Sequence, residues 1–223
     1  GKTFEEMQAT TDDILGYDRD TGEVFIIEMR SGNKTTGTAL FRDLLNEEDD
    51  FTVYVVRNDV KTDGTKRDTG LFALRKKSVS ININDEHISD PNQYVMLTDK
   101  DGNNYLQSHA DTPSFLFLAH ELIHAQHRKN GTFNEIMNGI HYYMYGNELR
   151  KEQMENHYND EYETVGIMYF TWSINPNSKS INPNCQISTY QPITENTIRQ
   201  EHGLDQRAAY STFDANGNVL GTP

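Results

Sequence analysis

Residues 113–130, PSFLFLAHELIHAQHRKN, constrain this chain more than any other stretch. Their polar and apolar spacing fits a helix. Thr112 or Asp111 can cap the first amides, Pro113 suits the first helical position, and Gly131 can end the helix in a left-handed turn. Arg128 and Lys129 fall in the last turn, where cations oppose the helix dipole. At about 100° per residue, His120 and His124 lie about 40° apart and one turn apart on one face. Their imidazoles can grip one metal ion at nitrogen–metal distances of about 2.1 Å. Glu121 projects about 100° from His120, beside the ion, where a general base must stand to take a proton from bound water. Phe115, Leu118, Leu122 and Ala125 or Gln126 give the helix a second stripe to bury. The helix therefore has a packing face and a chemical face.

His120-Glu121-Leu122-Ile123-His124 is the HExxH pattern of helical zinc metalloproteases. The bland alternative is a buried helix whose histidines make ordinary hydrogen bonds. A catalytic zinc takes three protein ligands and keeps a fourth position for water, so two histidines do not suffice. His127 points only about 20° from His120, but a helix curves away from an ion held one turn earlier. His127 is expected beside the site or on its rim. A histidine-rich extension of the motif would need His at position 130, where the chain has Asn130.

A later carboxylate is the other solution, and Asp160, Glu161 and Glu163 in NDEYETVG are the candidates. On a helix they cannot all face one ion: Asp160 and Glu161 diverge by about 100°, Glu161 and Glu163 by about 160°. The small residues Thr164, Val165 and Gly166 suggest close packing against another helix. Glu161 would share that face with Thr164 at i, i+3. Glu161 is the first choice and Glu163 the reserve. A solvated charge run remains open on position alone.

Composition narrows the partners. The 223 residues carry a net charge of −14, which argues against nucleic acid and anionic membrane surfaces. An acidic surface would fit a basic protein substrate or serve solubility. Twelve Tyr and ten Phe make the chain too aromatic for a disordered protein. Cys185 is the one cysteine, so a disulfide framework is excluded, and its polar surroundings offer no base to activate it. No apolar run approaches the ~18 residues of a membrane span. The chain begins Gly-Lys-Thr without Met, so a trimmed start is expected, with any export signal outside the sequence.

Along the chain, a short helix is expected within residues 4–14 and a strand over residues 23–30. Residues 31–38 read as a Gly/Thr loop without the spacing of a phosphate loop. The acidic run 47–50 reads as a solvated loop. Residues 51–57 form a strand, followed by a turn at Thr62-Asp63-Gly64 and an apolar stretch over residues 71–74. Residues 78–83 alternate, with Val79, Ile81 and Ile83 inward. Residues 94–97 are another strand, and the turn from Asp99 to Gly102 makes a hairpin rather than a calcium loop. After residue 131 the signals turn helical or irregular: residues 147–166 are charged and helix-permissive, and residues 175–192 form a Pro/Asn-rich loop. A last helix over residues 195–202 stops at Gly203, and a turn spans Asp214 to Gly217. The expected architecture is α+β and minimal zincin-like. A mostly antiparallel N-terminal sheet (20–110) precedes the active-site helix (113–130) and a helical or loop part (131–223). Together they make one metalloprotease domain over residues 1–223.

Three blocks in order, HELIHA at 120–125, EYETVG at 161–166 and ENTIRQEHGLDQRAAY at 195–210, resemble the NleD-like zinc metallopeptidases. The last block meets the pattern EN-x-x-R-x-x-x-GL-x-x-R-x-x-Y through Glu195, Asn196, Arg199, Gly203, Leu204, Arg207 and Tyr210. The resemblance implies His120, His124 and Glu161 as zinc ligands and Glu121 as the base. It also implies a bacterial effector, delivered by type III secretion into the host cytosol. Its substrates would be host mitogen-activated protein kinases of the JNK and p38 groups, cut in the activation loop. A monomer is expected. Zincins also need an electrophile for the oxyanion. Tyr210 is the candidate, with Arg199, Arg207 and His202 behind it, unless the arginines merely pair with Glu195 or Glu161. Two other functions compete: a host-protein-binding effector with a structural zinc, and a zinc hydrolase of a non-peptide substrate.

Overall fold

The computed structural model describes residues 1–46, 48, 51–57, 77–83, 90–153, 156–174, 181–184 and 191–221. Among these, five α-helices and several small sheets, all but one antiparallel, give a mixed α/β fold. The chain divides into two units, Gly1–Ser89 with Pro113–Thr132, and Asp90–Thr112 with Phe133–Pro223. The turn at 62–64, the apolar stretch 71–74, Cys185 and all of the acidic run except Glu48 lie outside the described residues.

The first unit runs α1 (Lys2–Thr10), β1 (Ile14–Tyr17), β2 (Val24–Glu28), α2 (Thr35–Leu44), β3 (Phe51–Arg57), β4 (Lys77–Ile83) and α3 (Ser114–Asn130). The central helix α3 packs against α1, α2 and β4. Leu116, Leu118, Ala119, Leu122, Ile123 and Ala125 are all buried, so its apolar surface reaches well beyond a single stripe. Each of the larger ones contributes about 1.5–3 kcal/mol on burial. Ile81 and Ile83 of β4 face inward while Ser78, Ser80 and Asn82 are exposed, as the alternation predicts.

Two expectations for this unit change. Residues 35–38 are not loop but the first turn of α2. Gly37 is there because a Cβ would stand 1.9 Å from the Thr10 carbonyl oxygen, so only glycine lets α2 come this close to α1. Thr38 adds a hydroxyl contact of 3.1 Å with Thr11 and accepts a bond from the Asp12 amide. Secondly, β1 and β2 form an antiparallel pair of their own, while β3 and β4 pair in parallel, with Phe51 opposite Lys77 and Arg57 opposite Ile83. A parallel pair cannot be closed by a tight turn and needs a longer crossover, which two similar apolar runs do not reveal.

The second unit contains β5 (Tyr94–Thr98), β6 (Asn104–Ser108), β7 (Gly139–Tyr145), β8 (Glu148–Gln153), α4 (Asp160–Val165), β9 (Phe170–Ile174), β10 (Ile181–Asn184), α5 (Glu195–Glu201), β11 (Gln206–Arg207), β12 (Thr212–Phe213) and β13 (Val219–Gly221). One sheet has the order β10-β9-β7-β8. In the other, β6 lies along one edge of β5, and β11 and β12 share its opposite edge. Met96, Tyr143, Ala209 and Phe213 form one core cluster, and Tyr162, Val165, Ile167, Tyr169 and Tyr210 a second. The Asp99 carboxylate accepts from the amides of Asp101 and Asn103, which fixes the expected hairpin.

The helical C-terminal part is therefore corrected: among the described residues it is mostly β and carries two short α-helices. Likewise β5 and β6 do not extend an N-terminal sheet; β5 collects the C-terminal strands β11 and β12. The hairpin β7–β8 turns at Gly146, whose φ of 58° favours glycine. His141 on β7 reaches two carbonyl oxygens beyond its own strand, those of Met168 at 2.6 Å and Ala208 at 2.8 Å. Such long-range partners hold a strand that local propensity reads as irregular.

Candidate metal centre

α3 carries the HExxH residues as expected, with small differences at its ends. Pro113 occupies the cap position itself, no side chain caps the first amides, and the helix begins at Ser114. Gly131 ends it in the left-handed region at φ 69°, with the Thr132 amide donating to the His127 carbonyl at 2.9 Å. The C-terminal end is tied to α2 by Asp43. Its carboxylate receives Lys129 Nζ at 2.6 Å, Gln126 Nε2 at 2.6 Å and Asn130 Nδ2 at 3.1 Å. Burial pushes the Asp43 carboxyl up, but the bonds from Lys129, Gln126 and Asn130 outweigh it and hold its pKa below the ordinary 3.8. A depressed carboxylate stabilises the fold above its ordinary value and loses that effect as the pH falls through the lowered one. D43N should therefore unfold at a lower temperature than wild type at pH 7. In thermal melts the gap should close as the pH drops below 3.8; a pH-independent gap would remove this role.

His120 and His124 are buried on the same face, with Nε2 atoms 3.1 Å apart and rings nearly perpendicular at 82°. Two ligands of a tetrahedral ion held at about 2.1 Å stand about 3.4 Å apart. That spacing and the donor set are compatible with a metal. Glu121 is half-buried between them along the chain. In the first unit, His120, His124 and His127 of α3 are side chains able to bind a metal; in the second, Asp160 and Glu161 of α4 are. His127 is 3% exposed.

In the second unit, α4 runs from Asp160 to Val165 and Gly166 caps it; a Cβ added at Gly166 would meet the Thr194 hydroxyl oxygen at 2.7 Å. The Thr-Val-Gly signal therefore marked a real close approach to the start of α5. Glu163 is committed to the fold: its carboxylate accepts from Tyr169 at 2.6 Å and from Asn134 Nδ2 at 2.8 Å. Burial, then the neighbouring Glu163, pushes the Tyr169 hydroxyl pKa up. Asp160 accepts from the Asn134 amide at 3.1 Å. Glu161, half-buried, leaves the helix about 160° from Glu163.

The block from Glu195 to Tyr210 is a scaffold built on one buried carboxylate. Glu195 receives Arg199 Nε at 2.7 Å and Arg207 Nη1 at 3.2 Å, with all three residues buried. Asn196 exchanges two bonds with the Arg207 backbone, and Arg207 also donates to the Tyr210 carbonyl. Both arginines thus take the structural role that pairing with Glu195 offered, and His202 caps α5. The Tyr210 ring sits edge-on to Tyr162 of α4 at 6.4 Å and beside His157 at 6.1 Å. Sequence reasoning missed Glu152. Its carboxylate accepts from the amides of Tyr210 at 2.8 Å and Ser211 at 2.9 Å. It also missed Asp43 and Asn134. A lone Glu in a charged stretch carries no signal of burial; only its pairing across the chain does.

A family model described as Peptidase_M91, effector protein, matches residues 6–210. Among curated proteins and solved structures nothing matches the chain.

Proposed function

Since the chain belongs to the peptidase M91 family of effector proteins, the NleD-like zinc protease effectors, we propose that it is a zinc-dependent endopeptidase acting on host proteins. The observation that carries this is the 3.1 Å pair of imidazole nitrogens on a helix that also bears Glu121. Peptidase-family membership implies protein substrates. None of the described helices is long and apolar enough to cross a membrane. The family match runs through both units, which supports one metalloprotease domain over residues 1–223.

His120, His124 and Glu161 would hold the ion. Support for Glu161 over Glu163 comes from Glu163 being engaged by Tyr169 and Asn134. When bound, zinc supplies a Lewis acid that acidifies water and polarises the scissile carbonyl. Glu121 takes the proton of the attacking water and returns it to the leaving amine. Tyr210 donates a hydrogen bond from its hydroxyl to the oxyanion. The substrates are host MAP kinases of the JNK and p38 groups, cut in the activation loop by a monomer delivered through type III secretion.

Purified p38 and JNK kinases incubated with the protein should each yield two fragments by intact mass, and a zinc chelator should abolish the cut. Intact kinases beside cleavage of another folded protein would overturn the substrate and keep the peptidase. No proteolysis by zinc-loaded protein would overturn both.

A further inference from the structure

Helix α4 is six residues long, too short to be stable by itself or to fix its own orientation. Its neighbours must set how it is rotated about its axis. On a helix, Asp160 and Glu163 stand about 60° apart on one face, while Glu161 leaves about 100° from the first and 160° from the second. Whatever grips the Asp160–Glu163 face therefore decides the direction of Glu161.

Asn134 grips that face with three of its four polar groups. Its amide donates to Asp160 Oδ1 at 3.1 Å, and its carbonyl accepts from the Asp160 amide at 3.3 Å. Its side-chain Nδ2 donates to Glu163 Oε1 at 2.8 Å and to the Tyr169 hydroxyl oxygen at 3.0 Å. Its Oδ1 accepts from the Ile136 amide at 3.2 Å, which holds the carboxamide in place. Next to it, the Asn159 amide donates to the Ile136 carbonyl at 2.6 Å, so residues 134–136 run along the start of α4 as a rail.

We propose that Asn134 is a positioning residue for Glu161: by holding Asp160 and Glu163 it sets the rotation of α4 and hence the direction of the third zinc ligand. The tolerance is tight. A side chain reaching about 5–6 Å from the helix axis moves about 2 Å for a 20° rotation. Metal–ligand distances tolerate only about 0.2 Å. An aspartate at 134 would set a carboxylate against Glu163, and an alanine would leave Glu163 with Tyr169 and Gln191 as its remaining partners here. The inference rests on Glu161 being a ligand, and its test separates the two.

Zinc affinity is measured by competition with a chromophoric chelator on the full chain for wild type, N134A, E161A and the double variant. Each is also melted in EDTA. N134A should weaken zinc by about 10–100-fold, the usual effect of a residue that orients a ligand. E161A should weaken it at least as much, and the double variant should be no worse than E161A. Unchanged zinc affinity in E161A would remove the ligand assignment itself. A weakened E161A beside an unchanged N134A, or losses that multiply in the double variant, would overturn the positioning role alone. Should N134A not fold, N134S, which keeps a small polar side chain there, is read in the same cycle with the same criteria.

Discussion

Replacing Glu121 with Gln will lower proteolysis by about 10²–10⁴-fold and leave zinc content unchanged. The amide has nearly the same shape as the carboxylate, so the half-buried position can accept it without repacking. What is lost is the ability to accept a proton from water and hand it to the leaving amine, about 3–5 kcal/mol of transition-state stabilisation. The helical geometry keeps metal binding separate from this step, because Glu121 leaves the helix about 100° from His120 and is not needed to hold the ion. H120A should behave differently and lose metal and activity together. The decisive pair of measurements is kcat/KM on a cleaved protein and zinc per chain by elemental analysis. E121Q retaining more than a tenth of wild-type activity would move the base elsewhere.

Glu195 to Ala should be the most damaging single change to stability, about 3–5 kcal/mol, because it strips the carboxylate from two buried guanidinium groups. Glu195, Arg199 and Arg207 are all under 10% exposed, so water cannot replace the missing charge cheaply. In a chain of this size that corresponds to a melting-point drop on the order of 10 °C. The damage should spread to Tyr210, whose carbonyl accepts from Arg207 and whose amide donates to Glu152. E195Q, which keeps the shape but not the charge, should fall between wild type and E195A. Unfolding should be followed in EDTA, so that lost zinc binding is not counted as lost folding. A change under about 1 kcal/mol in E195A would mean that the two arginines find other partners.

The sequence by itself determined the geometry of α3. Two histidines one turn apart, a glutamate between them and a terminal glycine are local features, and helical periodicity converts their spacing into geometry without outside help. The same holds for the hairpin turn after Asp99 and the stop at Gly203. Each depends on residues within a turn of one another.

The tertiary structure decided the strand pairing and the carboxylates. In β8, Leu149 is 68% exposed while Glu152 is 5% exposed, the reverse of what hydrophobicity predicts. Glu152 is inside because the amides of Tyr210 and Ser211, far along the chain, meet its two oxygens. A buried carboxylate is stable only with such partners, and no local pattern announces them. For the same reason Glu161 and Glu163 are alike in sequence and differ in the fold: Tyr169 and Asn134 engage the second. Local spacing fixed the helix that can hold a metal; pairing between distant segments fixed the partners of the buried carboxylates.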